Sequence, residues 1–240
     1  MDDSSVVAQK PNLPPPTVPW TPRDVAWALL MSVLLIFAFV FLIEISQRAG
    51  LSIDSSVVVV FGTSVLLIPA WYFSIYKYGV AWTDLGLRGF HPKALGMGLG
   101  LLALSWLFIM VYGLILAIFD EQIQPEIDLI FENTTFPFIL FIGGVIVAPF
   151  VEEVFFRGFI FPGLRNRWGW QKGALVSAGL FALAHVAPTS YLPIFVLGFI
   201  FAFLYQTSDS VWPSILMHMI FNGVNLALVY GISQGLISSP

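Results

Sequence analysis

The chain contains no cysteine. That excludes a thiol nucleophile, a disulfide framework and any thiolate-bound metal. Charge is also scarce: Asp, Glu, Lys and Arg make up 10% of the residues, against about 25% in soluble domains. With 58% hydrophobic residues and a mean hydropathy of +0.88, the composition is that of an integral membrane protein. No basic cluster is present, which excludes nucleic acid as a partner. The start is acidic and then proline-rich, without the short apolar core of a cleavable signal peptide. The net charge of −4 says little, because charge sits in the loops.

What is present is a series of long apolar runs. Pro11, Pro14, Pro15, Pro16 and Pro19 forbid a helix, so residues 1–22 read as a disordered proline-rich cytoplasmic tail. Residues 23–240 read as one transmembrane domain. Thr21-Pro22-Arg23-Asp24 looks like a helix start, with Thr21 as N-cap and Pro22 in the first helical position. The expected fold class is an all-α polytopic bundle of about seven spans, each compared with the ~20 apolar residues a span needs. They run over Val25–Ile43, Val57–Tyr76, Ala94–Phe119, Phe136–Leu164, Gly173–Ala187, Tyr191–Tyr205 and Pro213–Gly231. The fifth and sixth are short and form a hairpin across Pro188-Thr189-Ser190. Pro149, Gly158 and Pro162 predict a kink or an early end in the fourth. Gly96 and Gly100 predict a helix-packing face on the third. Trp27, Trp71, Trp82, Trp168, Trp170 and Trp212 lie near span ends, where interface anchors belong.

Basic residues set the orientation. With the tail inside, Lys10, Arg23, Lys77, Arg88, Lys93, Arg165, Arg167 and Lys172 are cytoplasmic, Arg48 is outside and Arg157 is within the membrane. The acidic segment Asp120–Glu132 then lies outside as a solvated loop. Asn133-Thr134-Thr135 matches a glycosylation sequon, a pattern common by chance.

One stretch stands apart. Val151-Glu152-Glu153-Val154-Phe155-Phe156-Arg157 places three charges in an apolar run, each costing about 2.5–3.5 kcal/mol near a helix centre on insertion scales. Glu153 and Arg157 share a helical face and can pair. Glu152, rotated by about 100°, has no such partner. The pattern is that of one structural acid beside one working acid. His185 on the fifth span, with His218 and Asn222 on one face of the seventh and Asn225 continuing it, complete the intramembrane polar set. At ~1.5 Å per residue, Glu152 lies about 15–20 Å from the cytoplasmic end of its span, His185 about 18 Å and His218 about 12 Å, so three spans place polar groups in one layer. No Gly-x-Ser-x-Gly elbow and no intramembrane aspartate dyad is present. Two routes remain open. A Glu coupled to a His can deprotonate water. Alternatively Glu152, His185 and His218 are a ligand set for Zn²⁺ with an open position for water. Both lead to hydrolysis of a carbonyl substrate, most simply a peptide bond, with Asn222 and the second His donating to the oxyanion.

Glu152-Glu153-x-x-x-Arg157, Phe181-x-x-x-His185 and His218-x-x-x-Asn222, in order and on separate spans, resemble the three motifs of the CPBP family of CAAX proteases and bacteriocin-processing enzymes, also called the Abi family. The resemblance covers residues 136–225. It implies an intramembrane endopeptidase acting on membrane-associated proteins or peptides, in which Glu152 and His185 activate water, His218 and Asn222 form the oxyanion hole, and Glu153 and Arg157 support the site. It implies no cofactor on the glutamate-dependent route and Zn on the metal-dependent one, and CAAX-type C-terminal processing as one substrate class. The expected setting is a bacterial plasma membrane, multi-pass, with a cytoplasmic N-terminus; neither substrate identity nor oligomeric state is legible. Two other readings use the same residues: a proton-coupled transporter, with Glu152, His185 and His218 as a relay, or a non-catalytic immunity or scaffold protein.

Overall fold

A computed structural model describes residues 17–51, 53–123, 136–185 and 187–237. The sequon and most of the acidic segment lie outside the described residues, as do residues 1–16 of the expected tail. Among the described residues seven long helices follow one another: α1 (Pro22–Arg48), α2 (Ser55–Tyr76), α3 (Lys93–Ala117), α4 (Pro137–Trp168), α5 (Trp170–Leu183), α6 (Tyr191–Ser208) and α7 (Trp212–Ser233). Among the described residues there is no strand. Six of the seven are long and apolar enough to cross a membrane. The exception is α5: its 14 residues rise about 21 Å, short of a hydrocarbon core of about 30 Å. The fifth expected span is therefore a helix too short to cross, packed as a hairpin against α6 through the 3₁₀ turn Pro188–Ser190.

Of the kink or early end expected in α4, the early end is absent, and the winding changes along the helix. α4 runs unbroken but contains two π segments, Ile142–Val147 and Val154–Ile160. Pro149 and Pro162 each follow one of them by two residues. A proline has no N–H for the carbonyl four residues back, and the wider π turn accommodates that loss locally. Carbonyls in these turns are taken by other helices. Ser177 Oγ of α5 donates to Phe156 O at 3.1 Å, Trp20 Nε1 donates to Phe159 O at 2.8 Å, and Asn222 Nδ2 of α7 donates to Gly144 O at 2.9 Å.

Around α4 pack α5, α6 and α7 on one side and α1 and α2 on the other. α3 closes the bundle against α6 and α7, where Leu102 meets Leu197, Phe201, Leu204 and Met217. The packing face expected on α3 is wrong by rotation. Gly96 and Gly100 face outward with nothing near them, whereas Gly98 is buried against Met217 and Leu204. The spacing motif marks a flat face but does not say which neighbour is present. The tail boundary is also corrected. Trp20 is buried, stacks on Phe159 at 5.6 Å and belongs to the core, because its indole N–H finds the free carbonyl of the π turn. The α1 start matches its sequence signal: Thr21 and Asp24 form a capping box, and Asp24 also accepts from Lys77 and Tyr78.

Candidate active site

Glu153 is the centre of the polar cluster. It lies on α4 at the end of the α-helical turn Ala148–Glu153 and has no exposure. Its Oε1 accepts from Arg157 Nη1 at 2.8 Å and from His218 Nδ1 at 3.0 Å. Arg157, equally buried, donates from Nη2 to the Gly198 carbonyl of α6 at 3.1 Å. Its guanidinium lies 4.2 Å from the Phe181 ring centroid and 5.4 Å from that of Phe201, so aromatic faces replace solvent around the charge. Gly198 makes this approach feasible, since a Cβ there would sit 3.1 Å from the guanidinium.

His218 is held from every side. Nδ1 faces Glu153, one ring face stacks on Phe201 at 5.1 Å, and Phe181 meets it edge-on at 5.8 Å. An imidazole that donates from Nδ1 presents Nε2 in the opposite direction. There, Nε2 lies 3.8 Å from Glu152 Oε2. Glu152 keeps 19% of its side chain exposed, against 6% for His218 and none for Glu153. Two adjacent acids thus have different surroundings: Glu153 is sealed and paired, while Glu152 looks into the gap.

His185 joins the cluster indirectly. Its ring packs on Phe181 at 5.0 Å, on the same aromatic that touches His218. Its Nδ1 is 2.9 Å from the Phe181 carbonyl one helical turn back, which fixes that nitrogen as the donor and leaves Nε2 as an acceptor. No ion pair joins His185 to Glu152; the imidazole next to Glu152 is His218. Asn222 lies one turn beyond His218 and spends one amide N–H on Gly144, with the second free of that bond. Asn225 bonds back to the Phe221 carbonyl of its own helix.

The zinc ligand set does not fit this arrangement. Among the described residues no three His, Asp or Glu groups are placed to hold a metal ion. The Nδ1 bonds of His218 and His185 leave both Nε2 atoms open to a ligand, but the two rings do not converge with Glu152, which lies beside one imidazole only. Sequence reasoning missed the Glu153–His218 bond and the Phe201 and Gly198 contributions from α6. Phe181 was present in the second motif as its first residue; one phenylalanine or glycine inside the apolar α6 carries no signal of its own.

Residues 134–224 match the family described as type II CAAX prenyl endopeptidase, Rce1-like. That stretch includes all six polar residues of the motifs, and over it the likeness to the CPBP family is shown. Two curated proteins are similar to the chain. One is the Bacillus subtilis (strain 168) protein named "Putative membrane peptidase YdiL", 29% identical over 103 residues, which are 43% of this chain and 41% of that protein. The other is the "UPF0177 protein YxdF" of Lactococcus lactis subsp. lactis (strain IL1403), 35% identical over 83 residues, 34% of this chain and 45% of that protein. The matched stretches thus span less than half the length of either relative. No solved structure matches the chain.

Proposed function

We propose that the chain is an intramembrane endopeptidase that hydrolyses peptide bonds in membrane-associated proteins or peptides by a glutamate-dependent route. The observation that carries this reading is the facing pair Glu152 Oε2 and His218 Nε2, 3.8 Å apart, backed by Glu153 and Arg157. In charge terms, two carboxylates and one guanidinium leave one negative charge in a low-dielectric cluster. In this reading His218 lies between Glu153 and Glu152, held by Glu153 at Nδ1, and presents an N–H at Nε2 to the gap.

In that state Glu152 is the base. It takes one proton from a water whose oxygen attacks the substrate carbonyl. His185 Nε2, an acceptor by virtue of its Nδ1 bond, helps orient the water. As the C–O bond forms, the carbonyl oxygen gains charge and receives the His218 N–H and the free Asn222 N–H. Glu152 then passes its proton to the departing amine as the C–N bond breaks, leaving a carboxylic acid and an amine. Glu153 and Arg157 touch no reacting atom in this scheme; they position His218.

The test is cleavage of two reporters by the purified full chain in proteoliposomes: a prenylated Cys-a-a-X peptide, as the Rce1-like description suggests, and an unprenylated transmembrane peptide. Glu152→Gln keeps size and hydrogen bonding but removes the base. Turnover is expected to fall by about 10²–10⁴-fold, with the melting point unchanged. Full turnover in Glu152→Gln would remove this residue from the mechanism. Cleavage of the prenylated reporter alone would assign the substrate class.

A further inference from the structure

Away from the Glu152 cluster, a cavity of about 530 Å³ opens where α1 begins and α4 ends. Its wall includes Trp20, Arg23, Gly163, Asn166, Arg167 and Trp168. Local sequence builds it. A Cβ at Gly163 would come within 2.7 Å of the Trp20 ring and 2.9 Å of Val25, so only glycine lets the segment before α1 lie against α4. Asn166 Nδ2 holds that segment by donating to the Val18 carbonyl at 2.7 Å. With Trp20 bonded to Phe159 O, one wall of the cavity is fixed to α4.

The electrostatics of the wall have one sign. Arg23 and Arg167 are both exposed, and neither is in an ion pair among the described residues. Among the described residues no carboxylate lines the cavity. Asp24, next in sequence to Arg23, is buried and occupied by Thr21, Lys77 and Tyr78. Two membrane-length helices have their ends here, which puts the cavity at headgroup level, and half-exposed Trp168 stands where an interfacial indole does.

We propose that this cavity binds the phosphate-bearing headgroup of an anionic phospholipid. The two guanidiniums take the phosphate oxygens in the forked geometry that suits arginine, and Trp168 lies along the start of the acyl region. The volume is in the range of small-molecule sites. A zwitterionic lipid carries the same phosphate beside a quaternary ammonium, which two uncompensated arginines disfavour. The site is separate from the peptidase reading and stands whether or not that reading holds.

The experiment uses the full chain in a neutral detergent, titrated with dioctanoyl phosphatidylglycerol, dioctanoyl phosphatidylcholine or inorganic phosphate. Thermal unfolding and native mass spectrometry report binding. Phosphatidylglycerol is expected to bind at one site and raise the melting point, about tenfold more tightly than phosphatidylcholine. Arg23→Gln with Arg167→Gln is expected to erase that preference, and Arg167→Gln alone to weaken it in the same direction. Both arginines are exposed, so each variant should melt like wild type without lipid. Lys172→Gln, an exposed charge outside the cavity, is expected to change nothing. Equal binding of the two lipids, or an equal loss in Lys172→Gln, overturns the proposal. Saturation by inorganic phosphate that blocks the lipid would assign the site to a free anion and overturn it as well.

Discussion

Two ion pairs in this chain have the same spacing and the same length. Glu44–Arg48 at the end of α1 and Glu153–Arg157 in the middle of α4 are both i,i+4 pairs at 2.8 Å. Their side chains are 53% and 78% exposed in the first pair and fully buried in the second. The helices around them differ in the same way. α1 leaves Leu34, Phe37 and Phe41 exposed, whereas Phe155, Phe159 and Ile160 of α4 are enclosed. An apolar run alone does not say whether a helix faces lipid or protein. Charge in the run does, because a charge in the bilayer must be answered by other helices, and α5, α6 and α7 supply those answers.

The largest effect expected from this contrast is at the buried pair. Glu153→Gln leaves Arg157 without its counter-charge and gives His218 Nδ1 a neutral amide oxygen in place of a carboxylate. Breaking a buried pair from one side typically costs about 3–5 kcal/mol. Both Glu153→Gln and Arg157→Ala are therefore expected to lower the melting point in detergent and the folded yield, with loss of peptidase turnover alongside. A stable but inactive Glu153→Gln would mean that the two acids have been given each other's roles.

A second contrast of the same kind lies in the glycines. Gly158, in the second π segment of α4, has the Leu85 carbonyl so close that an added Cβ would sit 2.5 Å from the oxygen. A backbone carbonyl cannot swing aside as a side-chain tip does, so Gly158→Ala is expected to destabilise by about 1–3 kcal/mol. Gly96 on α3 has open space around it. Gly96→Ala is expected to leave the melting point unchanged or slightly raised, since alanine is the better helix former. A loss at Gly96 equal to that at Gly158 would show that the outer face of α3 is packed against something in the membrane.

The fold was legible where the signal is local. Apolar runs and the Thr21–Asp24 cap mark the helices within a few residues. The shortness of α5 was legible, but its end at Leu183 was not, because Ala184, Val186 and Ala187 keep the sequence apolar around His185 after the helix has ended. The π segments were read as kinks, since the carbonyls they free are matched by Trp20, Ser177 and Asn222 from far along the chain. The site was legible through rarity: with three histidines and few buried charges, Glu152, Glu153, Arg157, His185 and His218 stand out. What rarity could not supply was wiring. The family resemblance implied Glu152 with His185; the imidazole that the structure places beside Glu152 is His218, with Glu153 behind it. That outcome depends on the rotation of α7 against α4, set by the Asn222–Gly144 bond and the Phe201 stack.

The smallest effect is expected at Glu44–Arg48, and it calibrates the rest. Both side chains are solvated before and after the pair breaks, so loss of one partner leaves no stranded charge. Arg48 is in the last turn of α1, where its charge still meets the negative end of the helix dipole when Glu44 is gone. Exposed pairs of this type contribute well under about 1 kcal/mol. A double-mutant cycle with Glu44→Gln and Arg48→Gln is therefore expected to give a coupling near zero, with turnover unchanged. The matching cycle at Glu153 and Arg157, built with glutamine at both positions, is expected to give a coupling several times larger, because each single change strands a charge that the double change removes. Since spacing and distance are the same in both pairs, the difference between the two couplings isolates burial. Equal couplings would show that the α4 pair is solvated in the membrane, and its role as a sealed support behind His218 would no longer hold.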